Sequence, residues 1–105
     1  FAIRTVRCYL YLTKERKEFV LSKQLLRCGT SIGANVEEAI GGYSRKEFSS
    51  KLSIAYKEAR ETRYWIRILS DTQIIDEKMA KSLLIDVEEL LKIIGSIIKS
   101  LKNNN

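Results

Sequence analysis

Apolar residues recur every three or four positions along most of the chain, which is the spacing of amphipathic helices. One series has alternating steps of four and three and comprises Phe48, Leu52, Ala55, Ala59, Thr62, Ile66 and Leu69. An earlier series comprises Leu21, Leu25, Cys28, Ile32, Val36 and Ala39. Each series lies on one face of its helix, and such a face suits antiparallel packing against other helices.

The first and last parts of the chain have the same periodicity with less regular faces. Near the N-terminus, the spacing predicts an apolar side formed by Ala2, Val6, Tyr9 and Leu10. Near the C-terminus, one stripe comprises Met79, Leu83, Val87, Leu90, Ile94, Ile97 and Leu101, and a second beside it comprises Leu84, Leu91 and Ile98. This last apolar face is wider than one partner helix needs, which favours self-association. Ordinary core and rim positions remain the alternative explanation.

Helix boundaries are marked by few residues, because the chain has no proline and five glycines. Gly41 and Gly42 predict a left-handed end to the second helix, and Ser44 three residues before Glu47 predicts a capping box at the start of the third. Four helices are expected at about 1–14, 21–41, 45–70 and 76–101. The sequence therefore predicts an all-α protein, an antiparallel up-and-down four-helix bundle forming a single domain over 1–105.

Charge and composition narrow the classes of partner. The chain has 19 Lys and Arg against 13 Asp and Glu, a formal net charge of +6, and 45% of its 105 residues are hydrophobic. A basic protein of this size favours acidic partners, such as RNA, DNA, an acidic protein or an anionic membrane, without choosing among them.

Cysteine usage and the absence of histidine indicate that no metal or cofactor is required. Cys8 and Cys28 have no CxxC partner, so we expect no zinc site, and their apolar neighbours indicate buried, reduced thiols in a cytoplasmic protein. The N-terminal segment lacks a signal-peptide pattern, and no apolar run is long enough to cross a membrane. Since the chain begins with Phe1, a few residues before it are expected.

A polar motif interrupts the second helix. Ser31, Asn35 and Glu38 share one face at steps of four and three, beside Gly29 and Gly33, which allow another backbone to approach closely. We interpret this motif as a structural network or a subunit contact; the alternative is a solvated face with two unfavourable glycines. A catalytic triad is excluded because the chain contains no histidine, so we expect no enzymatic activity.

A ladder of cations follows the third helix. Lys57, Arg60, Arg63 and Arg67 are spaced by three, three and four residues, so they share one side of the helix for about three turns. Such a row suits phosphate groups, which arginine binds bidentately. The alternative is a solvated face on which Glu58 and Glu61 pair with these cations.

The segments RCGTSIGANVEEA and SRKEFSSKLSIAYKEARETRYWIRIL resemble the four-helix bundle family found in intervening sequences of bacterial 23S ribosomal RNA genes, also called the S23 family. The resemblance covers essentially the whole chain. It is most specific at Ser31, Asn35 and Glu38 and at the pattern of Ser44, Lys46, Glu47 and Phe48. The resemblance implies a homopentameric ring. A related protein, the accessory variability determinant of diversity-generating retroelements, implies binding to nucleic acid and to a reverse transcriptase.

Together these observations predict a cytoplasmic basic bundle that binds the RNA or DNA backbone with little sequence selectivity. The ladder Lys57, Arg60, Arg63 and Arg67 is the predicted site, with help from Arg4, Arg7 and Arg45. The alternative is an interaction scaffold that docks an acidic protein, such as a polymerase or reverse transcriptase.

Overall fold

The computed structural model describes residues 1–103 and consists of four helices. They are α1 (Ala2–Lys14), α2 (Leu21–Ile40), α3 (Arg45–Asp71) and α4 (Glu77–Asn103). Consecutive helices pack side by side, α1 with α2, α2 with α3 and α3 with α4. The predicted all-α four-helix bundle is confirmed. The last two residues of the predicted domain lie outside the described residues.

The turn between α2 and α3 combines one confirmed prediction with one that is wrong. Ser44 caps α3, since its side-chain oxygen accepts a hydrogen bond of 3.0 Å from the Glu47 N–H, as predicted. Gly41, however, has φ of −81°, and no glycine of the described chain is left-handed. Space at Gly42 is tight, because an added β-carbon would lie 3.2 Å from the Ala39 carbonyl oxygen and 3.3 Å from Glu47.

The carboxylate of Glu18 caps the N-terminal end of α2. The side chain of Glu18 accepts hydrogen bonds from the backbone N–H groups of Val20 (3.2 Å), Leu21 (3.0 Å) and Ser22 (2.7 Å). These groups have no partner within the helix, so the carboxylate satisfies them. Burial alone would raise the pKa of Glu18, but the hydrogen bonds from Leu21, Ser22 and Val20 outweigh it and lower this pKa below its usual value.

The core lies along the faces predicted for α2 and α3. On α3, six of the seven predicted positions are buried, and the seventh, Phe48, is half-buried against the same core. On α2, Leu25, Cys28, Ile32 and Ala39 are buried. These two helices therefore form the centre of the bundle.

The prediction for α1 is wrong, because this helix turns a different face inward. Its buried residues are Thr5, Cys8 and Leu12, whereas Val6 and Leu10 remain 39% and 42% exposed. The inward face includes a threonine because α2 offers a glycine opposite it, as described below for Gly29. Hydrophobicity alone therefore selected the wrong side of α1.

The helix α1 lies beside only the first half of α4. Near the C-terminal end of α1, Arg16 donates a hydrogen bond to the Gln73 carbonyl in the α3–α4 turn, and near its N-terminal end Arg4 bonds Asp86. From Asp86, α4 continues for about 25 Å at 1.5 Å per residue. On that second half, Ile93 is 50% exposed and Ile97 38% exposed. Ile97 belongs to the predicted apolar stripe, and its exposure agrees with the expectation that this stripe is wider than the protomer covers.

Candidate nucleic-acid interface

The helix α3 separates its charges onto two sides, with its carboxylates facing α2. Arg27 of α2 donates a hydrogen bond of 3.1 Å to Glu58 and another to Glu61. Glu61 also accepts a hydrogen bond of 3.0 Å from the indole N–H of Trp65. The bonds from Arg27 and Trp65 lower the pKa of Glu61, and the carboxylates in turn raise the pKa of Arg27. The alternative in which Glu58 and Glu61 neutralise the cations of their own helix is therefore not the arrangement adopted.

The predicted ladder lies on the other side of α3, toward α4. Arg63 approaches Glu88 of α4 to 3.4 Å, and Arg67 approaches the same carboxylate to 3.7 Å. Within residues 1–103, Lys57 and Arg60 have no carboxylate within ion-pairing distance. Only two of the four cations thus share one exposed carboxylate, and exposed ion pairs of this kind contribute at most about 1 kcal/mol. The ladder keeps most of its positive charge.

Beyond Lys57, a groove between α3 and α4 becomes more basic. One stretch is lined by Ser53, Tyr56, Lys57, Gly95, Ile98, Lys99 and Lys102. The adjoining stretch is lined by Arg45, Lys46, Ser49, Ser50, Leu101 and Lys102. We call these residues together the basic groove. Lys102 belongs to both stretches, and in the described chain no Asp or Glu lines either of them.

Two contacts join the α3 and α4 walls of the basic groove. The ring of Tyr56 lies beside Gly95, where an added β-carbon would be in ordinary van der Waals contact with the ring at 3.8 Å. At the far end, Arg45 donates a hydrogen bond of 3.1 Å to the Leu101 carbonyl. This bond joins the start of α3 to the end of α4. The groove is therefore an open one, with five cations along its walls: Arg45, Lys46, Lys57, Lys99 and Lys102.

Sequence reasoning missed the lysines that α4 contributes. The available signal was the spacing of Lys92, Lys99 and Lys102, since steps of seven and three place them on one side of a helix. Lys99 and Lys102 line the basic groove, while Lys92 lies further along the α3–α4 seam near Arg63. The contribution of α4 depends on which side faces α3, and a single helix pattern does not contain that information.

The helper residues predicted on α1 lie elsewhere. Arg4 and Arg7 line a separate groove between α1 and α4, together with Tyr11 and Met79. The Arg4 guanidinium is bonded to the Asp86 carboxylate and donates a hydrogen bond of 2.9 Å to the Ser82 hydroxyl. Of the three predicted helpers, only Arg45 belongs to the basic groove.

The polar motif of α2 forms local bonds and one link to α3. The Asn35 side-chain amide donates to the Ser31 carbonyl (2.9 Å) and to the Ser31 hydroxyl (3.0 Å), while Glu38 accepts a bond of 2.8 Å from Lys51. Gly29 is buried against α1, whereas an added β-carbon on Gly33 would meet nothing within 4 Å. Within the protomer, close approach therefore applies to Gly29 alone.

The two thiols are free and enclosed. Cys8 and Cys28 are both buried, and burial raises the pKa of each thiol, although nearby Arg4 opposes the shift at Cys8. Among residues 1–103, no group of three or more His, Cys, Asp or Glu side chains could hold a metal ion. None of the described helices combines the length and apolar character needed to cross a membrane.

Comparison with known proteins decides the family. Residues 1–96 match the model of a family described as 23S rRNA-intervening sequence protein. The chain belongs to this family. A solved structure similar to this chain is that of a protein with unknown function from the S23 ribosomal protein family from Bacteroides thetaiotaomicron VPI-5482. It is 50% identical, with a TM-score of 0.92 over 94% of this chain and 88% of that one. No curated protein matches this chain.

Proposed function

We propose that this protein binds the phosphate backbone of RNA or DNA along the basic groove and the adjoining ladder. The observation that carries the proposal is a pair of grooves that share Lys102 and are lined by five cations and, within the described residues, by no carboxylate. Arg60, Arg63 and Arg67 extend the row of positive charge along α3 beyond Lys57. A row of this kind follows a phosphate backbone better than it would fit a small anion.

Such binding would depend on charge more than on base sequence. Lysines and arginines that neutralise phosphates release condensed counterions, so affinity falls steeply as salt concentration rises. The serines at positions 49 and 50 add hydroxyl donors for phosphate oxygens. Neither group of contacts reads base edges, which supports binding with little sequence selectivity.

We also propose that the protomers assemble into a ring, a homopentamer as the family resemblance implies. Exposed apolar residues on two helices support this: Ile3, Val6 and Leu10 on α1, and Ile93 and Ile97 on α4. A symmetric ring would repeat the basic groove around an axis and increase the local positive potential. Light scattering coupled to gel filtration tests the ring, and a monomeric mass would reject it.

The experiment for nucleic-acid binding measures affinity for a structured RNA as a function of salt concentration. We expect Lys57→Ala, Lys99→Ala and Lys102→Ala combined to weaken binding and to flatten the logarithmic salt dependence by about two units, since each phosphate contact contributes about 0.7–0.9. A matched control removes the same charge at exposed lysines outside the groove, Lys14, Lys23 and Lys78. Equal effects of the two triple variants would reject the groove as the site.

The rival function is docking of an acidic protein, which the same positive groove favours. Capture of partners from a lysate, with and without nuclease treatment, separates the two functions. A partner that binds directly survives the nuclease, whereas one bridged by nucleic acid is lost. Retention of a nuclease-resistant acidic partner by a protein that fails to bind RNA or DNA would favour the rival.

A further inference from the structure

The turn between α2 and α3 carries an exposed aromatic residue close in sequence to residues that line the basic groove. Tyr43 is 100% exposed, and it stands two residues before Arg45, which lines the groove together with Lys46. A tyrosine side chain that contacts nothing in its own protomer contributes nothing to the core. Packing against the core accounts for the half-buried tyrosines, but it does not account for Tyr43.

The backbone that carries this ring is fixed on both sides. The Tyr43 N–H donates a hydrogen bond of 2.9 Å to the Glu47 carboxylate, and the next residue, Ser44, caps α3. On the other side, the Gly42 N–H bonds the Ala39 carbonyl at 3.1 Å. Because the turn is already ordered, a ligand that stacks on the ring would have to immobilise little more than one side chain.

We infer that the groove and the turn together bind single-stranded nucleic acid, with an unpaired base stacked on the ring of Tyr43. This inference rests on the proposed function, because the cations of the groove hold the backbone. Proteins that bind single strands combine a positively charged groove with aromatic rings, and every base offers a face to stack. In a duplex, both faces of an internal base are covered by the neighbouring base pairs. The ring of Tyr43 therefore has no free base face on which to stack, and it should add no affinity for a duplex.

The inference predicts which substitutions at position 43 matter. Tyr43→Phe keeps the aromatic face, whereas Tyr43→Leu keeps an apolar side chain of similar reach and removes that face. Since stacking on one aromatic side chain changes affinity by roughly 5- to 150-fold, we expect Tyr43→Leu to weaken binding of a single strand by at least about fivefold. Tyr43→Phe should bind as the unsubstituted protein does. Neither change should alter the thermal midpoint, because the side chain is fully exposed.

The test uses fluorescence anisotropy at low salt with two labelled probes, an oligo(dT) strand and a blunt duplex of equal charge. A loss for Tyr43→Leu that is confined to the strand supports the inference. Equal losses on strand and duplex, or none on either, would overturn it while the basic groove still stands. If the unsubstituted protein binds neither probe, the inference and the proposed function both fail. A 2-aminopurine base in the strand adds a direct readout, since its fluorescence is quenched when it stacks.

Discussion

The side chain of Thr5 occupies the space that a β-carbon on Gly29 would need. Such an atom would lie 2.5 Å from the Thr5 methyl carbon and 2.8 Å from its hydroxyl oxygen. Thr5 is 1% exposed, and its hydroxyl donates a hydrogen bond of 3.1 Å to the Phe1 carbonyl. The threonine therefore has little freedom to move away, and this contact fixes how α1 lies against α2.

We expect Gly29→Ala to lower the free energy of unfolding by about 1–3 kcal/mol, the usual effect of overpacking a well-packed interior. Gly33→Ala is the matched control on the same helix. It places its methyl in open space, so it should raise the free energy of unfolding by about 0.5–1 kcal/mol through helix propensity. Urea unfolding followed by circular dichroism measures both. Stabilisation of the protein by Gly29→Ala would contradict the packing described for α1.

These two glycines illustrate how far the sequence alone could predict the fold. Their spacing placed both on one polar region of α2 and favoured close approach at both. The pattern of α2 gives its own periodicity, but it does not show where α1 lies against it. In the structure, the buried Thr5 of α1 lies against Gly29 and not against Gly33. The same limitation explains why Val6 and Leu10 were predicted to face inward, whereas the regular series of α3 was predicted correctly.

Glu18 should make stability depend on acid pH. Its pKa is lowered in the folded state, so its stabilising effect is fully present above the unfolded-state pKa of about 4.3. That effect disappears as the pH falls through the lower, folded-state pKa. At neutral pH we expect Glu18→Gln to cost about 0.5–2 kcal/mol, the range for loss of a helix cap. The stabilities of the variant and the unsubstituted protein should converge once the pH lies below the lowered, folded-state pKa of Glu18.

Glu15→Gln provides the control for this pH profile, because the Glu15 side chain accepts no hydrogen bond in the described structure. Urea unfolding at a series of pH values should give a difference near zero for Glu15→Gln throughout. A gap between Glu18→Gln and the unsubstituted protein that stays constant from neutral pH to acid would show that the carboxylate charge does not hold the start of α2.

The two cysteines should react slowly with thiol reagents. Both thiols are buried, and burial raises the pKa of each, so the reactive thiolate is scarce and shielded at mildly alkaline pH. We expect Ellman's reagent to label native protein far more slowly than protein unfolded in guanidinium. Single variants Cys8→Ala and Cys28→Ala assign the phases. Rapid labelling of two thiols in the native protein would contradict the placement of these residues in the core.

The candidate site was only partly predictable, because it combines side chains from two helices, α3 and α4. The ladder on α3 could be found by counting residues, and it does lie on one side of that helix. Whether its cations are neutralised depends on Glu88 of α4, and whether they are reinforced depends on Lys99 and Lys102. Those contributions are set by the rotation of α4 against α3, which follows from packing of the whole core.

The role of Glu88 gives the sharpest test of the ladder itself. Its carboxylate lies 3.4 Å from Arg63 and 3.7 Å from Arg67, so Glu88→Gln removes the one counterion these guanidinium groups share in the described chain. If the ladder contacts phosphates, the variant should bind RNA roughly three- to tenfold more tightly at low salt, about the effect of one more phosphate contact.

Glu37→Gln adds the same net charge at an exposed position of α2 and serves as the control. Anisotropy measured across salt concentrations should show a gain for Glu88→Gln that exceeds the gain for Glu37→Gln and fades as salt screens the charges. Identical gains would mean that only net charge matters, and binding would then be assigned to the basic groove without Arg63 and Arg67.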